Sequence, residues 1–246
     1  MRVTNQVLLN HAVLSSQRIM TEVSAVQRQI TSGYRVEKPS DDPGAIGTIM
    51  ESSSSLRSLE QHRKNLNLAG SRLSLEDMAL EQITTHLTRA KELAISQGGD
   101  TANADTRAAV KEEVDGLREA LIDLGNTRFA GSFMFGGDYA DTRPFSATGH
   151  DPTRPPAGTF RVEGGEDSFL EANHSGMEIF VDSGVLDSLE ALSTALGNNS
   201  STEIQASIQG LDDAFEDIQG LVADLGGRIN RVDPVSYTHL RAHETA

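Results

Sequence analysis

The chain has 246 residues, with 21 Lys and Arg against 36 Asp and Glu, a formal net charge of −15 at pH 7. That balance argues against a phosphate-backbone ligand, which needs clustered cations, and between Phe160 and Asp233 it sharpens to 15 acidic residues against 3 basic ones, Arg161, Arg228 and Arg231. Cysteine is absent, which excludes disulfides and thiolate metal or redox sites, and a 4% aromatic content without Trp suits helices that bury one stripe each better than a thick globular core.

The first predicted element is an amphipathic helix from about Gln6 to Thr31. Leu9, Val13, Met20, Val23 and Ile30 recur on it at helical spacing, and Ser32-Gly33 stops it. A short connector leads to Asp41-Asp42-Pro43, a helix start built from a carboxylate cap and a proline in the first turn. The second helix is predicted to run from Pro43 to about Gln97. It carries Leu59, Leu66, Leu73, Leu80, Leu87 and Ala94 at strict intervals of seven. At 1.5 Å per residue it spans roughly 80 Å, so only a rod-like partner can cover its stripe.

Gly98-Gly99-Asp100 ends that helix, and a third is expected over about Asp105 to Gly125, with Val114, Leu117 and Leu121 on its apolar face. Its length and short loop imply an antiparallel return. From Phe129 to Asp182 glycines punctuate short segments, of which Thr159–Val162 and Met177–Val181 read as strands. Helix resumes at Val185–Leu196 and again over about Thr202–Val232. There Ile204, Ile208, Leu211, Phe215, Ile218, Val222, Leu225, Ile229 and Val232 alternate steps of four and three without a miss. The fold class expected is mainly α with a small β insertion: a long antiparallel coiled-coil or helical-bundle rod. Its divisions are an N-terminal assembly helix and connector (1–40), rod (41–128), a turn-rich β module (129–182), and rod again (183–233).

Candidate chemistry is thin. His239 and His243 stand four apart, the spacing of two metal ligands on a helix, but lack a third. His11, His62, His86, His150 and His174 are dispersed in sequence, with no arrangement to name as a site. The carboxylates Glu112-Glu113 and Asp212, Asp213, Glu216 and Asp217 read as solvated faces. The Gly-Gly pairs lack the Lys-Ser/Thr of a phosphate loop. No catalytic, cofactor or metal site is expected. No apolar run reaches the length of a membrane span, and no cationic segment followed by an apolar core marks a cleaved signal.

Two blocks carry a resemblance. The stretch from Gln29 to Ala45, with Ser32-Gly33, Arg35 and Pro39-Ser40-Asp41-Asp42-Pro43, resembles the N-terminal signature of the flagellin family, in the form found in its hook-associated members. The stretch Gly125 to Asp138, followed by Pro144-Phe145, is similar to the corresponding segment of the same branch. The resemblance covers roughly residues 1–233. It implies a flagellin-like rod with paired terminal helices, a ring of identical copies, and neighbouring axial proteins (an adjacent hook-associated protein and flagellin) as partners. It also implies an export chaperone and passage through the flagellar type III channel to the cell exterior, with neither nucleic acid nor membrane bound. In that setting Leu9, Val13, Met20, Val23 and Ile30 are the assembly interface and Asp41, Asp42 and Pro43 the cap. The rod core is Leu59, Leu66, Leu73, Leu80, Leu87, Leu117, Leu121, Ile208, Leu211, Phe215, Ile218 and Val222. Residues 234–246 depart from the family and resemble translated read-through of a sequencing adapter, so the family's C-terminal helix is expected to be missing. Filament flagellin is the rival within the family, and a dimeric helical adaptor or signalling coiled coil the rival outside it.

Overall fold

The structure is a computed structural model. It describes residues 2–36, 38, 40–99, 102–165 and 168–244, with side chains for these except 2–5 and 233–244. Among the described residues there are five α-helices: α1 Arg2–Ser32, α2 Pro43–Gln97, α3 Ala104–Gly125, α4 Val185–Gly197 and α5 Ser201–Glu244. Between α3 and α4 lie three antiparallel two-stranded ladders, β1 Arg128–Phe129 with β2 Ser132–Phe133, β3 Phe145–Ser146 with β4 Gly149–His150, and β5 Arg161–Gly165 with β6 Ser168–Glu171. The chain divides into two compact units, 1–58 and 59–246.

In the second unit α2 to α5 pack through their apolar stripes. On α2, Leu66, Leu73, Leu80 and Leu87 are buried at intervals of seven, while Leu59 is half-buried. Polar pairs fix the directions. Arg89 meets Glu113 and Arg107 reaches the Gln97 carbonyl, so α3 runs back along α2. Gln205 donates to the Gly98 carbonyl and Lys91 pairs with Asp212, so α5 is antiparallel to α2 as well. Helix α4 packs on both α3 and α5, with Arg118–Glu190 and Ser193–Asp115 as its polar links to α3. The sequence reading gave no such packing role to α4.

The stripe of α5 is two rows of unequal depth. Ile204, Leu211, Ile218, Leu225 and Val232 are buried, one every seven residues, whereas Ile208, Phe215, Val222 and Ile229 are half-buried against the same core. The centre row faces inward and the other row lines the seam. Helix α5 itself continues to Glu244, past the expected end near Val232, and α1 begins at Arg2 rather than Gln6. The side chains of His239 and His243, and of the segment resembling adapter read-through, lie outside the described residues.

One buried cation closes an end of these helices. Arg107, near the start of α3, donates to the carbonyls of Gln97 and Gly99 behind α2 and to both the carbonyl and side-chain oxygens of Asn199 before α5. A guanidinium presents five donors in a fixed fork, which lets one side chain hold three separate segments.

Seven of the eight phenylalanines fall between residues 129 and 180, and they explain why the ladders stay attached to the helices. Phe180 packs edge-on to Phe135 at 5.4 Å and against Phe145 at 5.0 Å, all three buried. Gly125 admits the Phe145 ring, since a Cβ there would come within 2.6 Å of it. The β1–β2 turn places Ala130 and Gly131 at positive φ (50° and 91°), the geometry of a tight hairpin.

Two strand expectations need correction. Met177–Val181 is not a strand: Glu178–Asp182 is a π-helical turn. Ser175 donates to Glu178 Oε2 from both its backbone N–H and its hydroxyl, winding the chain at that point, and Ile179 and Phe180 drop fully into the core. A short apolar run such as Ile-Phe-Val carries no period to distinguish helix from strand. The strand expected at Thr159–Val162 begins instead at Arg161, because the Phe160 N–H is taken by Asn173 Oδ1 and the ladder starts with Arg161 opposite Glu171.

Candidate assembly surface and buried polar junction

Helix α1 presents a surface without cover. Leu9, Val13, Met20, Val23 and Ile30 are between 52% and 77% exposed, and Val7, Leu8, Leu14, Ile19 and Val26 are more than half exposed with them. Ten large apolar side chains thus lie exposed along one helix, and exposed apolar surface on this scale marks an interaction site. The helix ends as its sequence dictates: Gly33 takes φ +75° and its N–H bonds back to the Gln29 carbonyl.

The connector after it is pinned by polar contacts. Gln29 donates to the Arg35 carbonyl, Arg35 pairs with Asp42 at 3.1 Å, and the Lys38 N–H donates to Asp41 Oδ2. Asp42 Oδ1 accepts the Ala45 N–H at 3.0 Å, and Pro43 opens α2. That backbone hydrogen bond, with the Arg35 contact second, holds the Asp42 carboxyl below its ordinary range. Asp42 is thus the capping residue, while Asp41 closes the turn before it.

A second constellation lies inside the larger unit. His174, 3% exposed, sits between the buried carboxylate of Glu76 on α2 and Asp224 on α5. Its Nδ1 is 2.5 Å from Glu76 Oε1, its Nε2 is 3.0 Å from Asp224 Oδ2, and its backbone N–H also points at the Glu76 carboxylate. With an anionic oxygen at each ring nitrogen, both nitrogens donate only in the imidazolium form. Burial alone would push the His174 pKa down; the hydrogen bond to Glu76 and that carboxylate's charge outweigh it, so the group is held above its ordinary value. Arg228, one turn beyond Asp224, binds Asp224 Oδ2 at 2.6 Å and the Asn173 carbonyl at 3.0 Å. Arg72, one turn before Glu76, donates to the Met134 carbonyl and stacks over Phe160 at 4.5 Å. The junction therefore ties α2, α5 and the β segment together.

The sequence reading missed this junction. His174 lies 98 residues from Glu76 and 50 from Asp224, so no local spacing could reveal it. What the arrangement does chemically is hold charge, since each carboxylate already faces a cation. Among the described residues no group of three or more His, Asp or Glu is placed to hold a metal ion, and no helix is long and apolar enough to cross a membrane.

Residues 3–140 match the family described as the bacterial flagellin N-terminal helical region. The chain belongs to the bacterial flagellin family. Its relatives include the flagellar hook-associated protein 3 of Salmonella typhimurium, 28% identical over 73% of this chain and 57% of that protein. The Escherichia coli protein of the same name is 30% identical over 59% of this chain and 46% of its own length. The chain thus spans about half the length of these curated relatives. Bacillus cereus FlgL, known from its crystal structure, superposes with a TM-score of 0.70 at 18% identity, over 81% of this chain and 98% of that one. At that identity the likeness establishes the fold alone.

Proposed function

We propose that the chain is a structural subunit of the bacterial flagellum of the hook-associated protein 3 type, and that copies of it form a ring joining hook to filament. The observation that carries this reading is the uncovered apolar stripe of α1 on a chain of the flagellin family. Such a stripe is costly to leave in water and gains only when another helix covers it. Leu9, Val13, Met20, Val23 and Ile30 carry the axial packing. The capped connector at Asp41, Asp42 and Pro43 sets how α2 departs from the assembly helix, and residues 41–128 and 183–233 serve as the rod, with the β module of residues 129–182 between them. An adjacent hook-associated protein and flagellin are the axial partners. An export chaperone accompanies the subunit, which leaves the cell through the flagellar type III channel.

The test is incorporation. Flagella sheared from cells producing the chain are expected to contain it at the hook–filament boundary, as seen by immunogold labelling. Leu9→Glu and Met20→Glu place charge on the stripe and should abolish incorporation, while the melting of the helical unit, followed by circular dichroism, stays as in the parent. Normal incorporation of both variants would sink the assembly role of α1.

A further inference from the structure

The three basic residues between Phe160 and Asp233 are far apart in sequence, yet the fold gathers all of them at one place. Arg161 on β5 and Arg228 and Arg231 on α5 line a surface cavity of about 380 Å³ with Phe169, Leu170 and Glu171. Two of the guanidiniums are committed internally: Arg161 to Glu171, and Arg228 to Asp224 and the Asn173 carbonyl. Arg231 is exposed and makes no ion pair among the described residues. Phe169, beside it on β6, is 70% exposed. Among the described residues, then, the cavity offers a guanidinium without an ionic partner and an aromatic face, on an acidic chain.

The same helix carries the complement. Asp213, Glu216 and Asp217 are exposed on α5, three and four residues apart and so neighbours on its surface. Among the described residues Asp213 accepts from Gln209 alone, and neither Glu216 nor Asp217 pairs with a cation. From Asp217 to Arg231 the helix advances about 20 Å at its usual rise. Both groups are fixed on one rigid helix, so a copy cannot fill its own cavity with its own carboxylates. A second copy can.

We propose that the cavity formed by Arg161, Arg228 and Arg231 receives the Asp213, Glu216 and Asp217 carboxylates of a neighbouring copy of this chain, a head-to-tail contact that joins successive subunits. The contact links two different patches and so propagates from copy to copy, as a ring requires. Complementary charge sets register and rejects wrong neighbours more than it adds affinity, which suits a subunit whose apolar contacts reside on α1. The inference rests on the proposed ring.

The chain has no cysteine, so the engineered pair Ser168→Cys beside the cavity and Gly220→Cys beside the acidic stripe supplies its only thiols. Both sites are exposed, and a side chain at Gly220 meets no atom within 4 Å. Intact flagella carrying this full chain, treated with a short bismaleimide, should yield a ladder of cross-linked copies. Adding Arg231→Glu should cut the ladder about tenfold, and adding Glu216→Lys with Asp217→Lys to that chain should restore it. A ladder unaffected by Arg231→Glu, a product that stops at the dimer, or no cross-link from chain present in the flagella overturns the contact and leaves the proposed function standing. Absence of the parent chain from flagella overturns both.

Discussion

His174 puts a cation where two carboxylates from separate helices need one, and its removal isolates the more deeply buried of them. His174→Ala leaves Glu76 fully buried beside a cavity with no cation at its former partner's place. Breaking a buried pair in this way costs about 3–5 kcal/mol, and a chemical-denaturation midpoint will register it. The pH dependence follows from the direction of the shift. A histidine whose folded pKa is raised stabilises fully below its unfolded value of 6.5, and that contribution is lost as pH climbs through the raised folded value. Stability should therefore fall on the alkaline side of 6.5, and Glu76→Gln should flatten that decline. At this scale the sequence was legible where a residue's role repeats with the helix period. Leu66, Leu73, Leu80 and Leu87 announced themselves. His174 and Arg107 did not, because their partners come from three distant segments and leave no pattern in any window.

At the scale of elements, the α5 stripe shows what a pattern can and cannot convey. Its nine apolar positions predicted a helix and an apolar face; which of the two rows would face inward depended on where α4 packs, and α4 is too short for its sequence to say. Phe215 lies in the shallower row. Phe215→Ala should therefore cost about 3 kcal/mol, the low end for a truncated core aromatic. Ile218→Ala, at a fully buried position, should cost about 2–5 kcal/mol despite the smaller side chain. Circular dichroism melts at two well-separated concentrations add a second reading. Equal melting temperatures fit a stripe covered within one chain, whereas a spread would mean the stripe is shared between chains. The strand expected at Met177–Val181 failed for a related reason: the hydrogen bonds of Ser175 to Glu178, not the apolar run, decide how that segment winds.

For the whole molecule, the apolar surface is unevenly settled. In the unit of residues 59–246 the large aliphatic side chains that are described are mostly inside, while α1 holds ten outside. A single helix with an uncovered stripe is marginal in water, so limited proteolysis of the isolated chain should cut within α1 first and leave a resistant fragment that begins near Asp42. An N-terminus as resistant as the helical unit would contradict this. Sequence patterning disclosed the helices and the stripe, and the resemblance supplied the family. It could not disclose the gathering of Arg161, Arg228 and Arg231, since nothing in the chain's local order brings a β-hairpin to the far end of α5.

The clamp made by Arg107 also bears on time. Its acceptors at Gln97, Gly99 and Asn199 belong to segments that meet only after α2, α3 and the turn before α5 are in place. Arg107 and Asn199 stand 92 residues apart, so a long loop must close before the clamp is complete, and we predict that it forms after the rate-limiting barrier to folding. Interactions absent from the barrier govern how fast the native state is lost, not how fast it is gained. Arg107→Ala should leave the refolding rate nearly unchanged and speed unfolding, read as a shift in only one limb of a stopped-flow chevron. A slow exit from the folded state then hangs on one guanidinium.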